Sequence, residues 1–260
     1  MRARVGAAAL LAALLLCGTG ALAGEEAPKR RFLLDGGAEL IGAPLEAPFW
    51  EKLTLMTGAG VLVHQYDGRI ARALEKKGPR YAENLSDAGR ALGDGLLVAP
   101  ALAAGWLLGA WTEDERLVKA SRIGLESFAF GGLAVNALKY TTHRRRPKAG
   151  DGPNRWGGMR GGSGNLSFPS GHAATAFSWA ASFALVYGDT WWVGPLCYGG
   201  ATLTALSRVH DREHWGSDVV FGSLLGYFTS RALVSLEKNG VKTAVLPGPG
   251  GPTLALTMAF

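Results

Sequence analysis

The sequence predicts an all-α protein: a bundle of about five to six core helices, closed by a short β-ribbon at the C-terminus. Five apolar segments, at about 95–111, 117–140, 172–187, 191–206 and 218–235, have the length of helices rather than strands. Within them Ala, Leu and Gly outweigh β-branched residues, which favours helix. Period-two alternation is confined to the tail beyond Pro252, where it suggests a strand or local ribbon.

Taken in order, Met1-Arg2-Ala3-Arg4 forms a basic start, Val5 to about Leu16 an apolar run, and Ala21-Leu22-Ala23 a small-residue cleavage pattern. This is the layout of an export signal over residues 1–23. Leu16 before Cys17 argues against a lipoprotein signal. Residues 24–48 are polar and Pro-containing and read as a linker or arm. An amphipathic stretch from about Phe49 to Leu92 opens a helical domain that extends to residue 236, and residues 237–260 form the tail. Thr112-Glu113-Asp114-Glu115 offers a capping box for the helix that follows, and Gly188-Asp189 a turn between two apolar segments. Without Cys17 only Cys197 remains, so no disulfide framework is expected and packing must hold the fold.

With 48% hydrophobic and 18% charged residues, the chain is apolar for a soluble protein. Its segments read as buried helices or as short membrane spans of about 16–18 charge-free residues, and Trp106, Trp111, Trp191 and Trp192 favour contact with a membrane. The net charge of +6 points to anionic partners. Nucleic acid is disfavoured, because the basic residues gather around one loop rather than along a face with aromatic platforms.

Three clusters carry chemistry. Lys139 ends one apolar segment and Arg146-Pro147 follows it; Pro169-Ser170-Gly171-His172 opens the next helix; Arg208 closes a helix, and His214 with Asp218 opens the last. An up-down bundle brings all three to one end. Lys139, Arg146 and Arg208 can neutralise phosphate oxygens, arginine as a bidentate fork. Ser170 and Gly171 offer free amides at a helix N-terminus, where the dipole favours an anion. His214 and Asp218 are four apart, so the carboxylate is expected to hold one imidazole nitrogen and make the other more nucleophilic. His172 is then the acid and base. Of the other histidines, His64 reads as structural or exposed, His143 as bordering the pocket, and His210 as a bystander with no carboxylate one turn on. No His/Asp/Glu spacing suits a metal.

These three motifs resemble the signature of the type 2 phosphatidic acid phosphatase (PAP2) superfamily, which includes bacterial acid phosphatases and vanadium haloperoxidases. The resemblance covers roughly residues 90–235. It implies that His214 attacks phosphorus and forms a phosphohistidine while Asp218 orients it. His172 protonates the leaving group and then activates water. Lys139, Arg146, Ser170, Gly171 and Arg208 hold the phosphate, with neither metal nor cofactor. The resulting expectation is an exported envelope phosphatase, its site facing outward, acting on a phosphate monoester or pyrophosphate of a lipid at a membrane. A soluble periplasmic acid phosphatase on small esters is the alternative. A vanadate-dependent haloperoxidase or a non-catalytic binder of anionic lipid ranks lower.

Overall fold

The chain's structure, a computed structural model, describes residues 49–74, 80–160, 166–238, 241–248 and 251–258. The expected signal peptide (1–23) and linker (24–48) lie outside the described residues. Eight α-helices are present among the described residues: α1 (Phe49–His64), α2 (Asp67–Ala73), α3 (Arg80–Gly93), α4 (Gly95–Trp111), α5 (Glu115–Thr142), α6 (Gly171–Val186), α7 (Val193–His210) and α8 (Gly216–Lys238). Single 3₁₀ turns at Pro147–Ala149 and Gly158–Arg160 punctuate the loop between α5 and α6.

This corrects the expected five to six core helices: the bundle has eight helices among the described residues and no strand takes part in it. The amphipathic stretch before residue 93 holds three helices among the described residues, the first giving way to the second at a turn over Gln65-Tyr66. Beyond the bundle, the backbone of Val241–Gly248 pairs antiparallel with that of Gly251–Met258; it contributes no residue to the site described below. The capping box is also corrected. Asp114, not Thr112, is the N-cap of α5, its carboxylate accepting from the Leu117 amide at 3.0 Å. The Thr112 hydroxyl instead donates back to the Leu108 carbonyl at 2.9 Å, closing α4. A threonine at the end of one helix is thus spent there and cannot start the next.

Helix α6 is the centre of the bundle and packs most extensively on α8, α5 and α7. Its buried face is Ala173, Ala174, Ala176, Phe177, Ala180, Ala181 and Ala184. Small residues here let neighbouring backbones come close, and burying Phe177 alone contributes about 1.5–3 kcal/mol. The approach is tightest against α8: a Cβ on Gly226 would meet the Ala174 carbonyl oxygen at 2.1 Å, and one on Gly222 the Ser170 carbonyl oxygen at 2.4 Å. The buried Ser230 hydroxyl bridges neighbouring helices, donating to the Ser178 carbonyl at 2.7 Å and lying 2.8 Å from the Ser127 hydroxyl.

Much apolar surface is left uncovered elsewhere. Trp50, Leu53, Val61 and Leu62 on α1 are exposed, as are Leu96, Leu97, Trp106, Leu107 and Trp111 on α4, with Trp191, Trp192 and Leu196 at the start of α7. Among the described residues one helix, over Gly216–Glu237, is long and apolar enough to cross a membrane, and 61% of its most apolar window is buried inside the protein. The α3–α4 pair, bent by 56°, meets the same length and composition test when taken together.

Candidate active site

The C-terminal end of α5, the N-terminal end of α6, and the α7–α8 connection share one end of the bundle. Main-chain hydrogen bonds tie them together: Lys148 N–H to the Arg212 carbonyl at 3.1 Å and Ser170 N–H to the Asp218 carbonyl at 3.0 Å. The Trp215 indole adds a bond to the Arg145 carbonyl at 2.7 Å. The three sequence motifs therefore meet, as the up-down reading required.

Ser170 is the N-cap of α6, and its buried hydroxyl accepts from the Ala173 amide at 3.4 Å. Gly171 is the first residue of that helix, so its amide is among those with no partner inside the helix. A side chain at Gly171 would sit 3.6 Å from the Lys139 ammonium, which places that cation over the helix start. Lys139, Gly171 and His172 line a cavity of about 210 Å³ together with Gly93, Gly95, Phe128, Gly131, Gly132, Val135 and Asn136. The cavity has charge at one end and a glycine-lined apolar wall beside it.

The two arginines arrive with carboxylate partners. Arg146 pairs with Glu213, which also takes the Lys148 ammonium at 2.6 Å. Arg208, almost wholly buried, reaches Asp211 at 2.6 Å, and Asp211 accepts from the Ser86 hydroxyl of α3 at 2.6 Å. Burial pushes the Glu213 carboxyl up, but Lys148 and Arg146 outweigh it and hold it below the usual range. These pairs fix the guanidinium planes before any anion arrives.

His214 lies in the short connection before α8, not on the helix with Asp218, since α8 begins at Gly216. Its Nδ1 is 2.6 Å from the Ser167 carbonyl oxygen, an acceptor, so Nδ1 carries the proton and the neutral ring keeps its lone pair on Nε2. The nearest Asp218 oxygen is 3.9 Å away. The spacing-based expectation of a direct carboxylate–imidazole bond is therefore replaced by an indirect arrangement. Asp218 accepts from the Ser167 hydroxyl at 2.5 Å and from the Trp215 amide at 2.9 Å, and so holds the residue whose carbonyl holds His214.

Both histidines favour the neutral form. His214 is pushed well below the usual range by burial and by the nearby Lys139 and Arg146, with the Ser167 carbonyl opposing. His172 is lowered by burial and by Arg208, while Asp94 pulls it back up. Burial, then Arg146, lowers Lys139. A bound anion would oppose the charge part of each effect.

His210 ends α7 and takes no part in these contacts. His143 is the left-handed C-cap of α5 and is buried. Four residues went unrecognised in the sequence: Ser167, Glu213, Arg144 and Asp67. Arg144 was one of three consecutive arginines, and Asp67 lies 77 residues from it. No spacing rule separates either from its neighbours. Among the described residues no cluster of three or more His, Cys, Asp or Glu side chains could hold a metal ion.

The fold and site together define a helical bundle that gathers cations, a helix N-terminus and two histidines around an anion-sized space. Residues 122–241, just under half of the chain, match the model of the PAP2 superfamily, and the bundle has the PAP2-superfamily phosphatase fold. It is similar in fold to a transmembrane PAP2-type phosphatidylglycerolphosphate phosphatase from Bacillus subtilis, with a TM-score of 0.56 and 20% identity over 73% of this chain and 94% of that one. In sequence it is 39% identical over 97 residues to a lipid A 1-phosphatase of Porphyromonas gingivalis and 36% identical over 76 residues to an undecaprenyl-diphosphatase of Sulfolobus acidocaldarius. Those segments cover 37% and 29% of this chain, and only 19% and 36% of the two relatives' own length.

Proposed function

We propose that the chain hydrolyses a lipid-linked phosphate monoester or pyrophosphate through a phosphohistidine on His214, in the cell envelope and with its site facing outward. The observation that carries this reading is His214 itself: a buried, neutral imidazole with Nδ1 anchored on Ser167 and Nε2 left free as a nucleophile.

In the first step Nε2 of His214 bonds to phosphorus and the P–O bond to the leaving group breaks. His172, protonated once the dianion is bound, gives its proton to the departing oxygen. Lys139, Arg146, Arg208 and the Gly171 amide take up the charge on the equatorial oxygens, a role that metal ions share with cations in other phosphoryl transferases. The Ser170 amide, expected to join them, is instead engaged by the Asp218 carbonyl, and Ser170 acts as the cap that sets the helix start. In the second step His172 takes a proton from water, the oxygen attacks phosphorus, and the N–P bond breaks. Inorganic phosphate leaves, His214 is neutral again and His172 is protonated. Asp218 supports His214 through Ser167 rather than by direct contact.

A lipid is favoured by the exposed apolar faces of α1 and α4 and by the glycine-lined wall of the cavity beside Lys139 and His172, which leaves room for an alkyl leaving group. The relatives are named for lipid A phosphate, undecaprenyl diphosphate and phosphatidylglycerolphosphate, all lipid-linked. One observation supports a soluble enzyme acting on small esters: the helix that passes the membrane test is mostly buried in the bundle. Phosphate release from a panel of lipid and soluble phosphates, with EDTA and without added metal, tests the reading. Turnover confined to small esters would favour the alternative, and no turnover on any of them would overturn both.

A further inference from the structure

Helix α2 precedes the segment matched to the superfamily, yet it reaches the catalytic connection. Asp67, its first residue, is fully buried. Its carboxylate takes the Arg144 guanidinium at 2.7 Å, the Ser217 amide at 2.9 Å and the Ser217 hydroxyl at 2.5 Å. Arg144, itself 1% exposed, spans the gap between two carboxylates: one nitrogen goes to Asp67 and another to Asp218. Its other N–H groups bond the Pro153 carbonyl and the Ser217 hydroxyl, and its guanidinium carbon lies 4.6 Å from the centre of the Trp156 ring.

The charges do not cancel. Two buried carboxylates share one guanidinium, so with both ionised the triad carries a surplus negative charge that Arg144 and Asp218 alone would lack. Burial pushes the Asp218 carboxyl up and Asp67 adds to this, while Arg144 and the Ser167 hydroxyl oppose it. Buried charge is retained at a cost, and an isolated Arg144–Asp218 pair would be the cheaper arrangement. The surplus lies behind His214, on the side opposite the phosphate cations: Asp218 holds Ser167, and Ser167 holds His214 Nδ1. When Nε2 bonds to phosphorus the imidazole becomes cationic. Lys139, Arg146 and His172 around His214 all oppose that charge, Glu213 is already engaged by two cations, and Asp218 is the carboxylate nearest the ring.

We infer that Asp67 is a positioning residue for catalysis: by neutralising Arg144 it frees the charge of Asp218 to stabilise the phosphorylated state of His214. The inference rests on the phosphohistidine reading above. His64 closes the cluster, half-buried with Nδ1 3.0 Å from Asp67 and Nε2 2.8 Å from Asn154.

The test uses the full chain, with orthovanadate and inorganic phosphate as probes, at a fixed pH of about 7.5, where an ordinary imidazole is neutral. Vanadate accepts a fifth bond from His214 Nε2, whereas phosphate binds only through the cations. Asp67→Asn keeps the shape and removes the charge. It is expected to weaken vanadate binding about tenfold or more and slow phosphohistidine formation to match, leaving phosphate affinity and KM within about twofold. The double variant Asp67→Asn/Arg144→Gln removes one charge of each sign and leaves no unpaired buried guanidinium. It restores the surplus, so vanadate affinity should return to within about threefold of the original. Should Asp67→Asn alone fail to fold, the double variant still decides: near-original vanadate affinity supports the inference, and a tenfold loss overturns it. An Asp67→Asn protein with unchanged vanadate affinity, or with equal losses for vanadate and phosphate, also overturns it. Absence of phosphohistidine in the unmodified protein would sink the phosphatase reading instead, because vanadate binding reads the charge coupling without turnover.

Discussion

Gly222→Ala isolates the step from packing to chemistry. Gly222 on α8 faces the backbone of Ser170, the N-cap of α6, and a Cβ there would lie 2.4 Å from its carbonyl oxygen and 3.3 Å from its amide nitrogen. Ordinary contact begins at 3.4 Å, so the two helices must separate by 3.4 − 2.4 = 1.0 Å. The obstacle is main chain, which cannot rotate away. Overpacking of this kind costs about 1–3 kcal/mol, partly offset by the roughly 0.5–1 kcal/mol that alanine contributes over glycine in a helix. The displaced atoms are those of the N-cap that aims the Gly171 amide and whose own amide is tied to the Asp218 carbonyl, and an error of about 1 Å in such a group costs on the order of 100-fold in rate. Expected, then, is a melting temperature lower by a few degrees and a kcat/KM on p-nitrophenyl phosphate lower by about 100-fold. Gly199→Ala on α7 is the control: nothing lies within 4 Å of its added methyl, so stability should hold or rise and activity should not change. If Gly222→Ala retains activity within threefold while remaining folded, the claim that this helix start forms the phosphate cradle is wrong.

Other outcomes follow from the same geometry. The nucleophile must be neutral and the acid protonated, so activity is lost as pH falls through the lowered His214 value and also as pH rises through the lowered His172 value; the kcat/KM optimum should lie on the acid side of about 6.5. Asp94→Asn removes the carboxylate that holds His172 up and should move the alkaline limb to lower pH; an optimum above neutrality would contradict both assignments. With p-nitrophenyl phosphate, whose leaving group needs no proton, His172→Ala should accumulate an acid-labile phosphoenzyme, whereas His214→Ala should form none; labelled phosphate on the His214→Ala protein would place the nucleophile elsewhere. Washed membranes should retain the protein in high salt, given the exposed Trp and Leu faces of α1 and α4, and clean release would favour the soluble reading.

By itself the sequence determined which segments are helical and which three motifs share one end of the bundle. Those signals are local: apolar runs of helix length, a Ser-Gly pair able to start a helix, and cations placed at helix ends. Once the topology is up-down, the three motifs have to share an end, and they do. Local signals could not count the helices before residue 93, where a turn as short as Gln65-Tyr66 ends one helix and admits the next. They also misplaced the support of His214, because an i, i+4 spacing implies contact only if both residues lie on the same helix, and α8 starts after His214. The tertiary structure decided what stands behind the nucleophile. Ser167 and Arg144 come from the α5–α6 loop and Asp67 from a helix 77 residues before Arg144, and nothing in their spacing announces them. They meet because a buried carboxylate must find donors wherever the packed chain supplies them, and that requirement acts through space rather than along the sequence.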